Sequence, residues 1–171
     1  MKFSLKKSNS IWMTGYPSSG KTTISRNFFS LFSNEFPIIL LDSDECNKFL
    51  FTKKDYSKQE RNISTLKYIK LTKVLLKTKC LIIISANHAF NSQRNLAKKK
   101  LKNKYSEIWV STNLKECKKR DVKKLFLNAK KGNLKNLIGY DLKIDTKNKS
   151  LDKSTKMLLN FLLKKKILYA K

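Results

Sequence analysis

The sequence is poor in the residues that make a chain flexible. Its 171 residues include only 4 glycines and 2 prolines, and no glycine- or proline-rich stretch divides it. A chain of this length is typical of one domain, and 40% hydrophobic residues suffice for a real core. We therefore predict a single domain over residues 1–171, without a flexible linker or an internal repeat.

Cysteine and long apolar runs are also scarce. Cys46, Cys80 and Cys117 are an odd number without metal-ligand spacing, so we expect free thiols in a reducing compartment, with Cys80 in the core. The most apolar runs, 38–41 and 81–84, are far shorter than the roughly 20 residues of a membrane span. Residues 1–7 lack the apolar stretch of a signal peptide. We expect a soluble cytoplasmic protein with no membrane partner.

Acidic residues are few. The 12 Asp and Glu residues stand against 39 Lys and Arg, which gives a formal net charge of +27. Nucleic-acid binding would place the basic side chains on one face, where phosphate contacts make affinity depend on salt. The alternative is a lysine-rich bias spread over solvated faces. Basic residues occur in nearly every segment without interleaved aromatics, which favours bias, although the field would still attract anionic nucleotides.

Strand and helix patterns alternate along the chain. Near-continuous apolar strands separated by helices indicate a parallel sheet covered on both faces. Ser150 is the predicted N-cap of the last helix. The predicted strands are 10–14, 37–41, 80–85, 107–110 and 142–144, and the predicted helices are 21–32, 45–50, 57–78 and 151–166. The fold class is therefore α/β, with a five-stranded parallel sheet.

The strongest motif follows the first of these strands. Residues 15–22, Gly-Tyr-Pro-Ser-Ser-Gly-Lys-Thr, fill every fixed position of the phosphate-binding pattern G-x-x-x-x-G-K-[ST]. The glycines let backbone N–H groups face a phosphate, Lys21 brings a cation to the outer phosphates, and Thr22 offers a hydroxyl to magnesium. A chance turn between strand and helix is the alternative, and the correct flanks disfavour it. The predicted ATP-binding residues of this segment are Gly15, Tyr16, Pro17, Ser18, Ser19, Gly20, Lys21, Thr22 and Thr23.

Ligands bind beyond the carboxyl ends of the strands in such sheets, so the residues after each strand are candidates. Asp42 and Asp44 follow the second strand; one can hold a magnesium-bound water while the other accepts a proton from an attacking hydroxyl. A solvated turn that caps the next helix is the structural alternative. His88, the only histidine, follows the third strand and is as well explained as an ordinary loop residue as by an acceptor contact.

Residues 15–23, 41–44, 117–126 and 129–135 together resemble the adenylylsulfate kinase family of P-loop kinases. The resemblance implies that ATP's terminal phosphate passes to the 3′-hydroxyl of a 5′-modified nucleotide, with Mg²⁺ required. It makes Asp44 the base, with Lys21 and Asp42 as the other catalytic residues and Thr22 and Asp42 at the metal. Arg120, on the ATP, and Lys135, on the acceptor, would neutralise phosphate oxygens; surface charge is their alternative interpretation. Arg61 matches an acceptor-binding arginine.

Several acceptor positions depart from the family pattern. Asn47 stands where the family has an arginine that faces the acceptor, Ser43 replaces a glycine, and Ser64 replaces an asparagine. After the third strand, the family's Phe-Ile-Ser-Pro and its arginine become residues 86–89 and Asn91. Retained ATP groups with replaced acceptor groups are expected if the reaction persists and the acceptor changes. The predicted acceptor-binding residues are Asp44, Asn47, Arg61, Ser64, Asn87, His88 and Lys135.

These observations predict an ATP-dependent kinase of a small nucleotide. A diverged acceptor is slightly favoured over adenylylsulfate. The resemblance suggests cytidine diphosphoramidate, because relatives of this family phosphorylate that compound for the phosphoramidate decoration of capsular polysaccharide. Two further alternatives are a basic nucleic-acid-binding NTPase, which is the remote one, and a regulatory protein that binds nucleotide without catalysis. A homodimer is compatible with the sequence.

Overall fold

The computed structural model describes residues 2–50, 57–86, 90–121 and 137–171. Short 3₁₀ turns, Leu76–Thr78 and Lys102–Lys104, follow the third and fourth helices. The strands are β1 (Phe3–Leu5), β2 (Asn9–Gly15), β3 (Ile38–Asp42), β4 (Leu81–Ser85), β5 (Tyr105–Val110), β6 (Leu142–Ile144) and β7 (Leu168–Ala170). The helices are α1 (Lys21–Phe32), α2 (Ser43–Leu50), α3 (Lys58–Leu75), α4 (Asn91–Leu101), α5 (Leu114–Lys119) and α6 (Leu151–Lys164).

The main sheet is parallel and has the strand order β3-β4-β2-β5-β6, which confirms the predicted fold class. Its central strand β2 is buried at all seven residues, because strands on both sides and helices on both faces cover it. In the register, Ile11 lies between Ile83 of β4 and Ser106 of β5. The weak apolar signal at 142–144 does mark the fifth strand of this sheet.

Alternate residues of the central strands supply two separate cores. Ile11 and Met13 pack with Phe28 of α1 and Leu158 of α6 on one face of the sheet. Trp12 points to the other face, where α3 and α4 contribute Tyr68, Ala97 and Leu101 to a second cluster. This alternation follows from the two-residue period of a strand, and it fixes which helices cover which face.

Strands β1 and β7 form a second, two-stranded antiparallel sheet that the sequence does not predict. Each is only three residues long, too short for a recognisable alternation. The last helix ends at Lys164 rather than near 166, because Lys166 takes a positive φ of 52° and the chain turns into β7. The predicted N-cap is confirmed: the Ser150 side chain accepts a hydrogen bond from the backbone N–H of Lys153.

The carboxyl ends of the parallel strands meet at one edge of the sheet. Gly15, Asp42, Ser85, Val110 and Ile144 end β2 to β6 there in turn, so the segments that follow them come together. None of the helices in the described part of the chain is long and apolar enough to cross a membrane.

Candidate active site

The phosphate loop (residues 15–22) connects β2 to α1 and is shaped by its own backbone. A tight turn is closed by the bond from the Ser19 N–H to the Tyr16 carbonyl oxygen, 3.2 Å. Gly20 has φ 101° and immediately precedes α1, and Ser18 also has a positive φ of 57°. The loop therefore places backbone N–H groups and the amino end of α1 together, as binding of an anionic phosphate requires.

Lys21 is bound to the loop that it follows. Its ammonium donates to the carbonyl oxygens of Gly15, 3.1 Å, and Tyr16, 2.7 Å, and the residue is only 8% exposed. Burial lowers the pKa of Lys21 to about 8, although the nearby Cys117, Asp44 and Asp42 each oppose the fall. Asp42 pairs in register with Ser85, whose hydroxyl lies 3.2 Å from Thr22 Oγ1, so the Asp42 turn lies beside the phosphate loop, as the sequence predicts.

Two threonines, each two residues beyond the end of a strand, β5 or β6, bind the backbone of the loop. The hydroxyls of Thr112 and Thr146 each donate to the Ser19 carbonyl oxygen at 3.0 Å. Arg120 donates to the Thr146 hydroxyl, 2.9 Å, and to Glu116, 3.0 Å. The predicted ATP-site arginine is thus connected to the phosphate loop through one side chain.

Asp42 is buried at the end of β3 and uses its two oxygens differently. Oδ1 accepts a hydrogen bond from the Asp44 N–H, 2.9 Å, so the local turn that the sequence offers as an alternative does form. Oδ2 is buried without a hydrogen-bond partner among the described residues. The Arg26 guanidinium lies 3.7 Å from Oδ2 and is engaged at 2.6 Å by Glu45. The capping turn therefore leaves one carboxylate oxygen for a ligand.

The oxygens near the loop fit a magnesium ion carried by a nucleotide. Thr22 Oγ1 lies 3.2 Å from the Ser85 hydroxyl at the end of β4. Asp42 Oδ2, which accepts no hydrogen bond from the described residues, is a hard anionic oxygen, and Mg²⁺ is held by one or two protein oxygens together with phosphates and water. Thr22 and Asp42 are therefore the residues that could hold the ion.

The α2 helix begins directly after Asp42 and contacts α3. Asp44 and Asn47 lie three residues apart on α2 and share one face of that helix, with Asp44 exposed. The hydroxyl of Tyr68 on α3 donates to Asn47 Oδ1 at 3.2 Å. Arg61 and Ser64 are half-buried and lie about two turns and one turn, respectively, before Tyr68 on the same helix.

The structure therefore places most of the predicted site residues at one edge of the sheet. Asn87, His88 and Lys135 lie outside the described residues. The sequence reasoning missed five contacts: those of Arg26, Tyr68, Ser85, Thr112 and Thr146. Only Ser85 carried a signal, because it ends a predicted strand at the ligand-binding edge.

Comparisons with known proteins agree with this geometry. The profile of the adenylylsulphate kinase family matches residues 7–150. An adenylyl-sulfate kinase of Pseudomonas aeruginosa is 28% identical, covering 89% of this chain and 84% of its own. A cytidine diphosphoramidate kinase of Campylobacter jejuni is 32% identical, covering 79% of each chain.

The fold also matches that of solved structures. The Mycobacterium tuberculosis APS kinase, solved in complex with AMPPNP and APS, superposes with a TM-score of 0.81. That match is 20% identical in sequence and covers 91% of this chain and 98% of the other. The P-loop kinase fold, the profile over residues 7–150 and the curated relatives agree, so this chain belongs to the adenylylsulphate kinase family of ATP-dependent kinases.

Proposed function

We propose that this chain transfers the terminal phosphate of ATP to the 3′-hydroxyl of a 5′-modified nucleotide, with adenylylsulfate as its first candidate acceptor. The observation that carries the proposal is that a pair of carboxylates adjoins the phosphate loop. Asp42 pairs in register with Ser85, whose hydroxyl lies 3.2 Å from Thr22 Oγ1, and Asp44 follows in the same turn. The sequence alone slightly favours cytidine diphosphoramidate. Most of the relatives described are adenylyl-sulfate kinases, and they support adenylylsulfate instead.

In the proposed reaction, the acceptor's 3′-oxygen attacks the γ-phosphorus in line with the departing ADP oxygen. A new O–P bond forms, the bond from the γ-phosphorus to the β–γ bridging oxygen breaks, and Asp44 takes the proton of the hydroxyl. Lys21 leaves the loop carbonyls to stabilise the phosphate oxygens, and the loop N–H groups hold the β-phosphate. Magnesium, when held by Thr22 and Asp42, neutralises charge on the transferring phosphate.

Cytidine diphosphoramidate remains a second candidate for one specific reason. Asn47 occupies the position of an acceptor-facing arginine in the family pattern, and the Campylobacter jejuni relative that phosphorylates this compound is 32% identical. A changed residue at an acceptor position supports a changed acceptor.

The test is a substrate panel with magnesium-ATP. Purified protein is incubated with adenylylsulfate, cytidine diphosphoramidate, AMP and CDP, and 3′-phosphorylated product is identified by mass spectrometry and phosphorus NMR. We expect product from one of the first two acceptors at least tenfold faster than from AMP or CDP. Lys21→Ala, the matched inactive control, separates this activity from a contaminating kinase.

Two outcomes would overturn the proposal. Binding of magnesium-ATP with no product from any acceptor would favour a non-catalytic nucleotide-binding protein. ATP hydrolysis stimulated by RNA or DNA, with salt-sensitive binding, would favour the nucleic-acid-binding NTPase that the +27 charge leaves open.

The three free thiols support a reducing compartment such as the cytoplasm as the place of action.

A further inference from the structure

Tyr68 brings a buried polar group to the acceptor side of the site. Its side chain is 1% exposed and packs in the α3–α4 core with Trp12 and Ile84, yet its hydroxyl reaches α2 and donates to Asn47 Oδ1 at 3.2 Å. A tyrosine hydroxyl in an apolar core needs a partner, because an unpaired buried donor is costly. A hydrogen bond from a core residue thus restrains the side chain of Asn47.

The hydroxyl of Tyr68 stays protonated because of its surroundings. Burial raises its pKa most, and the nearby Cys46 thiol and the Asp42 and Asp44 carboxylates raise it further. The contact with Asn47 brings this hydroxyl to the helix that carries Asp44, the predicted base. It therefore remains a hydrogen-bond donor throughout the pH range in which a kinase works.

This contact determines what Asn47 can offer to a ligand. An asparagine amide has one oxygen that accepts hydrogen bonds and one nitrogen that donates them, and the oxygen faces Tyr68, from which it accepts a hydrogen bond. Among the described residues, the structure shows no partner for Nδ2. Asn47 shares its helix face with Asp44, so the uncharged N–H₂ group lies one turn from the predicted base.

We propose that Asn47 recognises the acceptor through Nδ2, and that Tyr68 is the positioning residue that keeps this amide turned the right way. The inference rests on the proposed function, since it requires a nucleotide acceptor beside α2. The ligand feature would be a phosphoryl or sulfuryl oxygen of the 5′ substituent, contacted by a neutral donor instead of a guanidinium. Acceptor selection would then depend on two helices, α2 and α3, rather than on residue 47 alone.

The experiment is a double-mutant cycle with steady-state kinetics on the acceptor that the panel identifies. Asn47→Ala should lower kcat/KM for the acceptor about tenfold. Tyr68→Phe, which keeps the ring, should lower it about threefold to tenfold, the size expected for one hydrogen bond. Because Tyr68 acts through Asn47, Tyr68→Phe should have no further effect in the Asn47→Ala background. The KM for ATP should stay unchanged in all three variants.

Tyr105→Phe is the matched control. Tyr105 is a second buried tyrosine of the same core cluster, and its hydroxyl bonds to Glu107 Oε2 at 3.2 Å rather than to α2. It should keep the wild-type kcat/KM for the acceptor. Asn47→Asp keeps the oxygen that Tyr68 binds but loses the donor, so it should be at least as impaired as Asn47→Ala.

The outcomes separate the two proposals. No product from wild-type protein with any acceptor would defeat the proposed function itself. Three results would defeat the role of Tyr68 alone. They are a normal kcat/KM for the acceptor in folded Tyr68→Phe, additive decreases of kcat/KM in the double variant, and equal decreases of kcat/KM for ATP and for the acceptor. Wild-type activity for Asn47→Asp would show that Nδ2 does not contact the acceptor. Circular dichroism melting curves establish that each variant is folded.

Discussion

Arg94 and Glu107 form an ion pair inside the protein, with Nε 2.8 Å from Oε1 and side chains only 3% and 4% exposed. Arg94 belongs to α4 and Glu107 to β5, so the pair connects a covering helix to the sheet. Tyr105 donates to the second carboxylate oxygen at 3.2 Å. Such a pair is costly to break from one side, because the remaining charge stays buried.

Arg94→Met should therefore destabilise the protein by about 3–5 kcal/mol at neutral pH. Burial raises the pKa of Glu107 and Arg94 lowers it, so the variant's carboxyl has a still higher pKa when folded. A raised folded-state pKa means that stability is lost as pH rises from the unfolded value of about 4.3 through the folded value. In urea unfolding, the decrease in the free energy of unfolding of Arg94→Met relative to wild type should be larger at pH 7.5 than at pH 5. Adding Glu107→Gln should remove this difference; an equal loss at both pH values would contradict it.

Lys21→Ala should reduce kcat/KM by orders of magnitude, because it removes a cation from the phosphates. In wild-type protein the pKa of Lys21 is about 8 without nucleotide, and ATP binds best to its charged form. The kcat/KM for ATP should therefore decrease as pH rises through 8. Initial rates from pH 6.5 to 9.5 measure this, and near-normal activity of Lys21→Ala would rule out the assigned nucleotide site.

Asp44→Asn should mainly lower kcat, by about a hundredfold or more, with little change in the KM for ATP. The amide cannot take the acceptor's proton, but it keeps the exposed position at the start of α2. Steady-state kinetics with both substrates separate the two parameters. A change confined to KM would remove Asp44 as the base.

Gly15→Ala should abolish ATP binding. A Cβ at this position would lie 2.5 Å from the Val110 carbonyl oxygen and 2.8 Å from Ser19 Oγ, so the loop or the end of β5 must move. Gly139→Ala is the control, since its Cβ would meet no atom within 4 Å and only its φ of 81° is unfavourable. It should lose about 1 kcal/mol of stability and keep ATP affinity, as calorimetry can show. Equal binding by both alanine variants would contradict this packing argument.

Lys102→Gly should stabilise the protein by about 1 kcal/mol, because Lys102 has φ 51° and ψ −126°, a conformation that glycine adopts readily. Lys100→Gly removes the same charge from inside α4 and should cost about 1 kcal/mol. Thermal melts of the two variants should shift in opposite directions. A shared direction would mean that charge, not backbone strain, controls the response.

The sequence predicts the parts of the site that are formed by consecutive residues. The phosphate loop and the Asp42 turn are short motifs whose geometry is local, and the helix cap at Ser150 is predicted for the same reason. The apolar strand runs also predict the parallel sheet, because its central strand is buried on both sides.

Contacts between distant residues could not be predicted in this way. Ser19 and Thr146 are 127 residues apart, and Thr22 and Ser85 are 63 apart, so their meeting depends on strand order rather than on any local pattern. Tyr68 resembles an ordinary core residue until α2 is placed beside it. A single sequence gives no measure of which distant residues pair.

A tryptophan, Trp109, lies near the phosphate loop. Tyr16 and Trp109 both pack against Leu137, and the Trp109 ring lies 5.3 Å from that of Tyr140 and 4.8 Å from the Lys143 ammonium. The other tryptophan, Trp12, is fully enclosed in the centre of the sheet. Trp109 is therefore connected to the phosphate loop through Leu137, and we expect the intrinsic tryptophan fluorescence to change when nucleotide is titrated into the unlabelled protein.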